Sequence, residues 1–262
     1  MQGKILSGKS ALVTGGNRGV GKQIVRKFAQ SGANVIFNSS SPNPAAEEFA
    51  KEIAKEFSVE CHYVTCNIAD EKEIDNMCNI AKEKFKRIDI LVNNAGKAAF
   101  GAVDNIPLDD WNECIKINLT APFLFCQKLI PGMKENKWGR VINTTSGTTQ
   151  KVMPNLSAYI SAKNGVNSLT KVLAKEVGDF GITVNCIVPG CIDTDMFHDG
   201  VKGFAANVEC PPEAIKEGTL SAHIIKTAIN PEMLADFSLY LTSDMAAGLT
   251  GGLFPVDNGF TC

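Results

Sequence analysis

The chain has no excess of positive charge. Its 26 lysines and arginines face 28 aspartates and glutamates, a formal net charge of -2, and the two signs are interspersed. That balance argues against a nucleic-acid partner or an anionic membrane surface. Long apolar runs are also missing: no run approaches the ~18 residues needed to span a bilayer. The opening MQGKILSGKSALVTGG has no apolar core of the kind a secretory leader carries. Histidine is scarce, with three in the chain, and the nine cysteines are scattered without a CxxC pair. No metal site is therefore expected, and the cysteines read as reduced, mostly buried thiols of a cytoplasmic chain. Linkers, repeats and low-complexity segments are absent as well.

What remains is an ordinary globular composition of 262 residues, 44% hydrophobic and 21% charged, of a length that one α/β domain (1–262) can use. Short β-branched segments alternate with longer amphipathic ones. SALVTG, NVIFNSS, CHYVTCNI, IDILVNNAG, GRVINTTS, ITVNCIVPG and GGLFPVD read as strands. Between them lie GKQIVRKFAQSG, AAEEFAKEIAKEF, a charged helix to about Lys86, a long helix from about Asp110, a helix bearing Tyr159, and PEMLADFSLYLTS. This β-α repetition predicts a doubly wound parallel sheet with helices on both faces. The stretch from Met196 to about Ile229 breaks the rhythm with Gly200, Gly203, Pro211, Pro212 and Gly218, and is expected to be a long substrate loop or lid.

LVTGGNRGVG places Gly15, Gly19 and Gly21 directly after the first strand and at the mouth of the first helix. A diphosphate needs such backbone approach without Cβ atoms, together with the free N–H groups of a helix start. The spacing, G-x-x-x-G-x-G, also serves a plain tight connection. A chain that binds NAD usually carries an acid near the end of the second strand, for the ribose 2′-hydroxyl. VIFNSSSPN has none before Glu47, but offers Ser39, Ser40 and the loop cation Arg18, which suit a 2′-phosphate. NADP(H) is the cofactor expected.

In SAYISAKNG, Tyr159 and Lys163 stand four residues apart, on one helix face, among small residues. An ammonium beside a phenol is expected to hold its pKa below the ordinary value of about 10, making a proton donor usable near neutrality. TGGNRGVG, NNAG (Asn93–Gly96), Ser146, YISAK and PGCIDT occur in the order and at the spacings of the short-chain dehydrogenase/reductase family, and the chain resembles that family from Ser7 to Gly259.

The resemblance implies a single-domain Rossmann sheet of seven parallel strands, most often in a homotetramer. It implies a tetrad of Asn118, Ser146, Tyr159 and Lys163; Ser146 precedes Tyr159 by the family's thirteen positions. In such a tetrad Ser146 donates to the carbonyl oxygen and Tyr159 moves the proton as hydride passes to or from the carbon. Lys163 bonds the nicotinamide ribose, and Asn118 holds a water beside it. Asn17 and Val20 fall with the glycines in the cofactor loop. Asn94, Ala95 and Gly96 fall along the adenosine side, and Pro189, Gly190, Ile192 and Thr194 around the carboxamide. Asn67-Ile68 stands where the family often has Asp-Val facing adenine.

Two substrate readings follow from the nearest groups in the family. A lipophilic ketone or alcohol, steroid-like or alicyclic, suits the long 196–229 stretch. A 3-oxoacyl group on an acyl-carrier protein is the alternative, with Lys134 and Lys137 as basic residues at the site mouth and Phe180 where such reductases are often basic. A non-catalytic nucleotide sensor is a third reading, opposed by the intact tetrad.

Overall fold

The structure is a computed structural model and describes residues 4–262. The described residues form one seven-stranded sheet of β1 (Ser10–Val13), β2 (Asn34–Ser39), β3 (Cys61–Thr65), β4 (Ile90–Asn93), β5 (Gly139–Thr144), β6 (Ile182–Pro189) and β7 (Leu253–Val256). The strands are parallel throughout, in the order β3-β2-β1-β4-β5-β6-β7. Winding runs outward from β1 in one direction and from β4 in the other. The crevice between their carboxyl ends is where an open α/β sheet accepts ligands.

Alternate strand residues feed two separate cores. Leu12, Ile36, Leu91 and Val141 pack against α3 (Glu71–Phe85), α5 (Ala121–Glu135) and α6 (Ser157–Val177), around Met77, Phe125 and Val177. Their neighbours Val13, Phe37, Val92 and Ile142 pack against α1 (Gly19–Gln30), α2 (Pro44–Phe57) and α9 (Pro231–Thr242), around Phe28, Phe49 and Leu234. Strands apolar on both faces are what a helix-covered parallel sheet requires. Each fully buried Phe, Ile or Leu contributes about 1.5–3 kcal/mol relative to exposure.

Among the described residues three α-helix starts are capped by side chains. Asn43 accepts from Ala46 N at 3.1 Å before α2, Asp70 from Lys72 N at 2.8 Å before α3, and Asn230 from Glu232 N at 3.0 Å before α9. The start of α1 differs, for Arg18 makes no side-chain cap there and the first turn holds no acid.

Several expected boundaries shift. The strand begun by CHYVTC ends at Thr65, so Asn67 and Ile68 occupy the following turn. The helix expected from Asp110 begins at Leu108 as α4 (Leu108–Ile115) and passes through a π-helical turn, Lys116–Thr120, into α5. The 196–229 stretch is not a loop for most of its length, because α7 (Asp195–Asn207) and α8 (Pro212–Ser221) fill it. The residues that read as breakers have other uses. Pro212 sits at the first helical position, where no N–H is needed. Gly200 and Gly203 pass within 3.9 and 3.5 Å of the Phe100 ring, measured from where a Cβ would stand, so α7 lies close over the segment after β4.

Lys134 lies in the last turn of α5 and Lys137 just before β5, at the amino edge of the sheet, the edge opposite the crevice. Lys134 Nζ rests 4.8 Å from the ring centre of Phe180, which precedes β6 at the same edge. Within one chain these residues do not border the site mouth, contrary to the expectation that Lys134 and Lys137 serve there.

Candidate active site

A cleft of about 1040 Å³ runs along the carboxyl ends of the strands. Gly15, Asn17, Arg18, Gly19 and Val20 line one end, with Ser39, Ser40, Asn67 and Ile68 beside them. Asn94, Ala95 and Gly96 form the middle. Ser146, Tyr159, Lys163, Pro189, Gly190, Ile192 and Thr194 line the other end. Two expected site residues, Gly21 and Asn118, are not on the cleft wall. A Cβ on Gly21 would strike the carbonyl oxygen of Gly15, so this glycine serves the close packing of α1 on its loop.

Gly15 and Gly19 both hold left-handed backbone, with φ of +66° and +53°. Two residues absent from the sequence reading fix the loop they shape. Buried Asn38 accepts from Gly15 N at 3.0 Å and donates to Cys66 O at 2.8 Å, tying the ends of β1, β2 and β3. The Thr14 hydroxyl oxygen accepts from Asn94 N and Ala95 N, each at 3.0 Å, tying β1 to β4. A left-handed glycine loop leading to an uncapped, acid-free helix start fits the diphosphate of a dinucleotide.

At the adenosine end the expected donors divide. Ser39 is buried and its hydroxyl is engaged with Tyr63 Oη and Ser41 O, each at 2.7 Å. Ser40 and Arg18 are exposed on the cleft. Asn67 Oδ1 accepts from Ala69 N at 3.1 Å, so its acceptor oxygen serves its own turn.

At the other end, Ser146 follows β5 close to the hydroxyl of half-buried Tyr159, which α6 carries. Lys163, one turn further along α6, is 4% exposed and donates from Nζ to Thr144 O at 2.8 Å. Asn118 lies in the π-helical turn. Its Nδ2 donates to Lys97 O at 2.7 Å and Cys114 O at 2.9 Å, and its Oδ1 accepts from Lys97 N at 3.3 Å. These bonds to the backbone of Lys97 and Cys114 hold the amide in place, a structural role beside the water-holding one that the resemblance implies. The point where a Cβ would stand on Gly96 is 2.9 Å from Asn118 Oδ1 and 3.4 Å from Lys163 Nζ, so Asn118, though off the wall, stands behind Gly96 beside Lys163.

The expected lowering of the tyrosine pKa is not what this environment produces. Burial pushes the Tyr159 phenol up to about 12, with the nearby Ser146 hydroxyl pulling the other way. Burial also brings the Lys163 ammonium down to about 8, nearby Cys186 and Cys114 opposing it. Desolvation outweighs the ammonium's attraction because both groups sit in the same dry wall, with Lys163 Nζ 5.6 Å from the Tyr159 ring centre.

Beyond Tyr159 the wall is mainly apolar, built from Ile117, Met153, Met196, Phe197 and Phe260, with Thr219 and Cys191 among them. A Lys97–Glu113 ion pair at 2.5 Å marks its exposed lip. These positions come from six separate segments and no local pattern announces them. Buried His223 organises part of the wall: Nε2 accepts from Cys191 N at 3.4 Å, Nδ1 donates to Thr219 O at 2.9 Å, and the ring stacks on Phe260 with centroids 4.7 Å apart. Among the described residues no helix is long and apolar enough to cross a membrane, and no cluster of His, Cys, Asp and Glu is placed to hold a metal ion.

Comparison with known proteins points the same way. The short chain dehydrogenase family model matches residues 9–203. A D-beta-hydroxybutyrate dehydrogenase of Rhizobium meliloti is 34% identical over 97% of this chain and 98% of its own. A 3-oxoacyl-[acyl-carrier-protein] reductase of Aquifex aeolicus is 34% identical over 97% and 98%. A 3alpha-hydroxysteroid dehydrogenase of Mediterraneibacter gnavus is 34% identical over 97% of each chain.

Proposed function

The chain belongs to the short-chain dehydrogenase/reductase family, oxidoreductases that act on hydroxyl and keto groups with a nicotinamide cofactor, and from that premise we propose that it is an NADP(H)-dependent enzyme interconverting a lipophilic ketone and its secondary alcohol. The observation that carries the reading is the convergence of Ser146, Tyr159 and Lys163 at one end of a cleft whose other end is the glycine loop, with Asn118 behind the wall beside Lys163. A bound nicotinamide supplies or receives the hydride. Ser146 donates a hydrogen bond to the substrate oxygen, where negative charge develops during reduction. Tyr159 gives that oxygen its proton, and Lys163 places a positive charge behind the phenol. The five apolar side chains beyond Tyr159 support a lipophilic substrate. The exposed Arg18 and Ser40, with no carboxylate in the cleft wall from Asn38 to Asn43, support the 2′-phosphate of NADP(H). We read residues 1–262 as one domain, and the resemblance alone supports a cytoplasmic homotetramer.

The test is initial rates of NADPH and NADH oxidation on one panel of oxosteroids, cyclic diketones and a 3-oxoacyl thioester. The expected result is faster turnover with NADPH and with the free lipophilic ketones. Turnover of the thioester alone would transfer the assignment to carrier-bound substrates, and a preference for NADH would overturn the cofactor. Tyr159→Phe is expected to lose at least 1000-fold in kcat while binding NADPH as the parent does; retained turnover would sink the mechanism.

A further inference from the structure

We propose that Thr148 is a positioning residue that sets the direction of the hydrogen bond from Ser146 and so makes that serine a donor to the substrate. The proposal rests on the reading of Ser146 and Tyr159 given above. Ser146 ends β5's extension in extended backbone, φ -161° and ψ 147°, and its side chain caps a single 3₁₀ turn, Gly147–Thr149. Its oxygen receives two hydrogen bonds from the same residue: Thr148 N donates at 3.2 Å and Thr148 Oγ1 at 2.9 Å. A serine hydroxyl has two lone pairs and one proton. With both lone pairs filled by Thr148, the Ser146 oxygen has no further place to accept. Its proton is then directed into the cleft, towards the Tyr159 oxygen or a carbonyl bound beside it.

The Thr148 side is equally constrained. Among the described residues its hydroxyl makes one hydrogen bond, to Ser146 Oγ, so its proton has no competing acceptor there. Thr149 Oγ1 donates to Ser146 O at 2.8 Å and fixes the serine backbone from the other side. Without the Thr148 hydroxyl, one lone pair of Ser146 is open. The serine can then accept the phenolic proton of Tyr159, reversing the polarity of the pair. In that state Ser146 no longer points its proton at the substrate, and Tyr159 spends its own proton on Ser146. Two of the groups needed by the carbonyl oxygen are lost to each other, although nothing has moved.

The experiment compares Thr148→Val, Thr148→Ser, Ser146→Ala and the double variant Ser146→Ala/Thr148→Val, with whichever ketone of the panel the parent turns over. Thr148→Val keeps the shape and removes the hydroxyl. It is expected to lower kcat about tenfold, the size of one neutral hydrogen bond, with KM and NADPH affinity close to the parent. Thr148→Ser restores the hydroxyl and is expected to recover most of the rate. The double variant should be no slower than Ser146→Ala, because a residue acting through Ser146 has nothing left to position. If Thr148→Val leaves kcat unchanged, raises KM alone, or adds its full effect on top of Ser146→Ala, the proposal is wrong. If Ser146→Ala is itself as fast as the parent, it is the reading of Ser146 that fails. A Thr148→Val protein that melts well below the parent and is not rescued by serine would show a packing role instead and would also overturn the proposal.

Discussion

The two ends of the cleft are built in different ways. At the glycine end, the groups offered to a ligand are mostly backbone atoms, and the side chains of Thr14 and Asn38 are engaged in locking strand ends together. At the substrate end, the offered groups are side chains, and they come from β5, α6, α7, α8 and the tail. The first construction depends on φ angles and close approach; the second depends on how distant segments are clamped. Damage should therefore separate cleanly, with cofactor affinity failing at one end and ketone affinity at the other.

The largest effect is expected from Gly19→Val. The new side chain would have to hold φ near +53°, and its Cβ would lie 3.3 Å from Thr194 Cγ2, across the approach to the start of α1. A β-branched residue in that conformation costs about 1–3 kcal/mol. NADPH affinity, read by fluorescence titration, should fall at least 100-fold. A cofactor Kd within a few-fold of the parent would show that the loop does not cradle the diphosphate.

His223→Phe is the matching cut at the substrate end. Phenylalanine keeps a ring to stack on Phe260 but cannot accept from Cys191 N or donate to Thr219 O. Expected are a five- to tenfold rise in KM for the ketone and an unchanged Kd for NADPH, the loss of about one hydrogen bond's worth of wall geometry. Equal losses for both ligands would mean that His223 supports the cleft as a whole, and the two ends would not be separable.

This contrast also accounts for what the sequence made legible. Gly15, Gly19, Tyr159 and Lys163 were readable because each is tied to its neighbours by local spacing on a strand-to-helix turn or a single helix, while Ser146 came from the resemblance. The inner strands β1, β4 and β6 were readable because they are short apolar runs buried on both faces, and the half-exposed edge strands β3 and β7 because they keep the β-α alternation. Phe260, Thr219 and His223 carry no local pattern, since their partners lie far along the chain. The 196–229 stretch misled because Gly200, Gly203 and Pro212 are breakers in isolation but are respectively two close-packing positions and a helix start in context. Asn118 was found by resemblance, yet its π-helical setting could not be read, for the bonds that reward it run to Lys97 and Cys114. The pKa of Tyr159 departs from the expectation for a related reason: spacing shows the ammonium, while burial, which dominates, is a property of the folded wall.

Lys163 stands at the substrate end, and its effect on stability is the smallest but most specific of these. Its folded pKa of about 8 lies below its ordinary 10.5, so folding favours the neutral amine. Between those two values the unfolded chain binds the extra proton, and the contribution of this group to stability rises with pH across the window. Below about pH 8 the full cost of burying the cation is present in the folded state. Lys163→Met removes that cost, though it leaves Thr144 O without its 2.8 Å donor. The variant should be inactive and melt a few degrees above the parent at pH 7, and its advantage should shrink steadily from pH 8 towards 10. Thermal melts of both proteins across that range, in the same buffers, are the check. A variant less stable than the parent at pH 7 would mean that the bond to Thr144, with the packing of the lysine stem, outweighs the desolvated charge, and the site would then stabilise the fold rather than strain it.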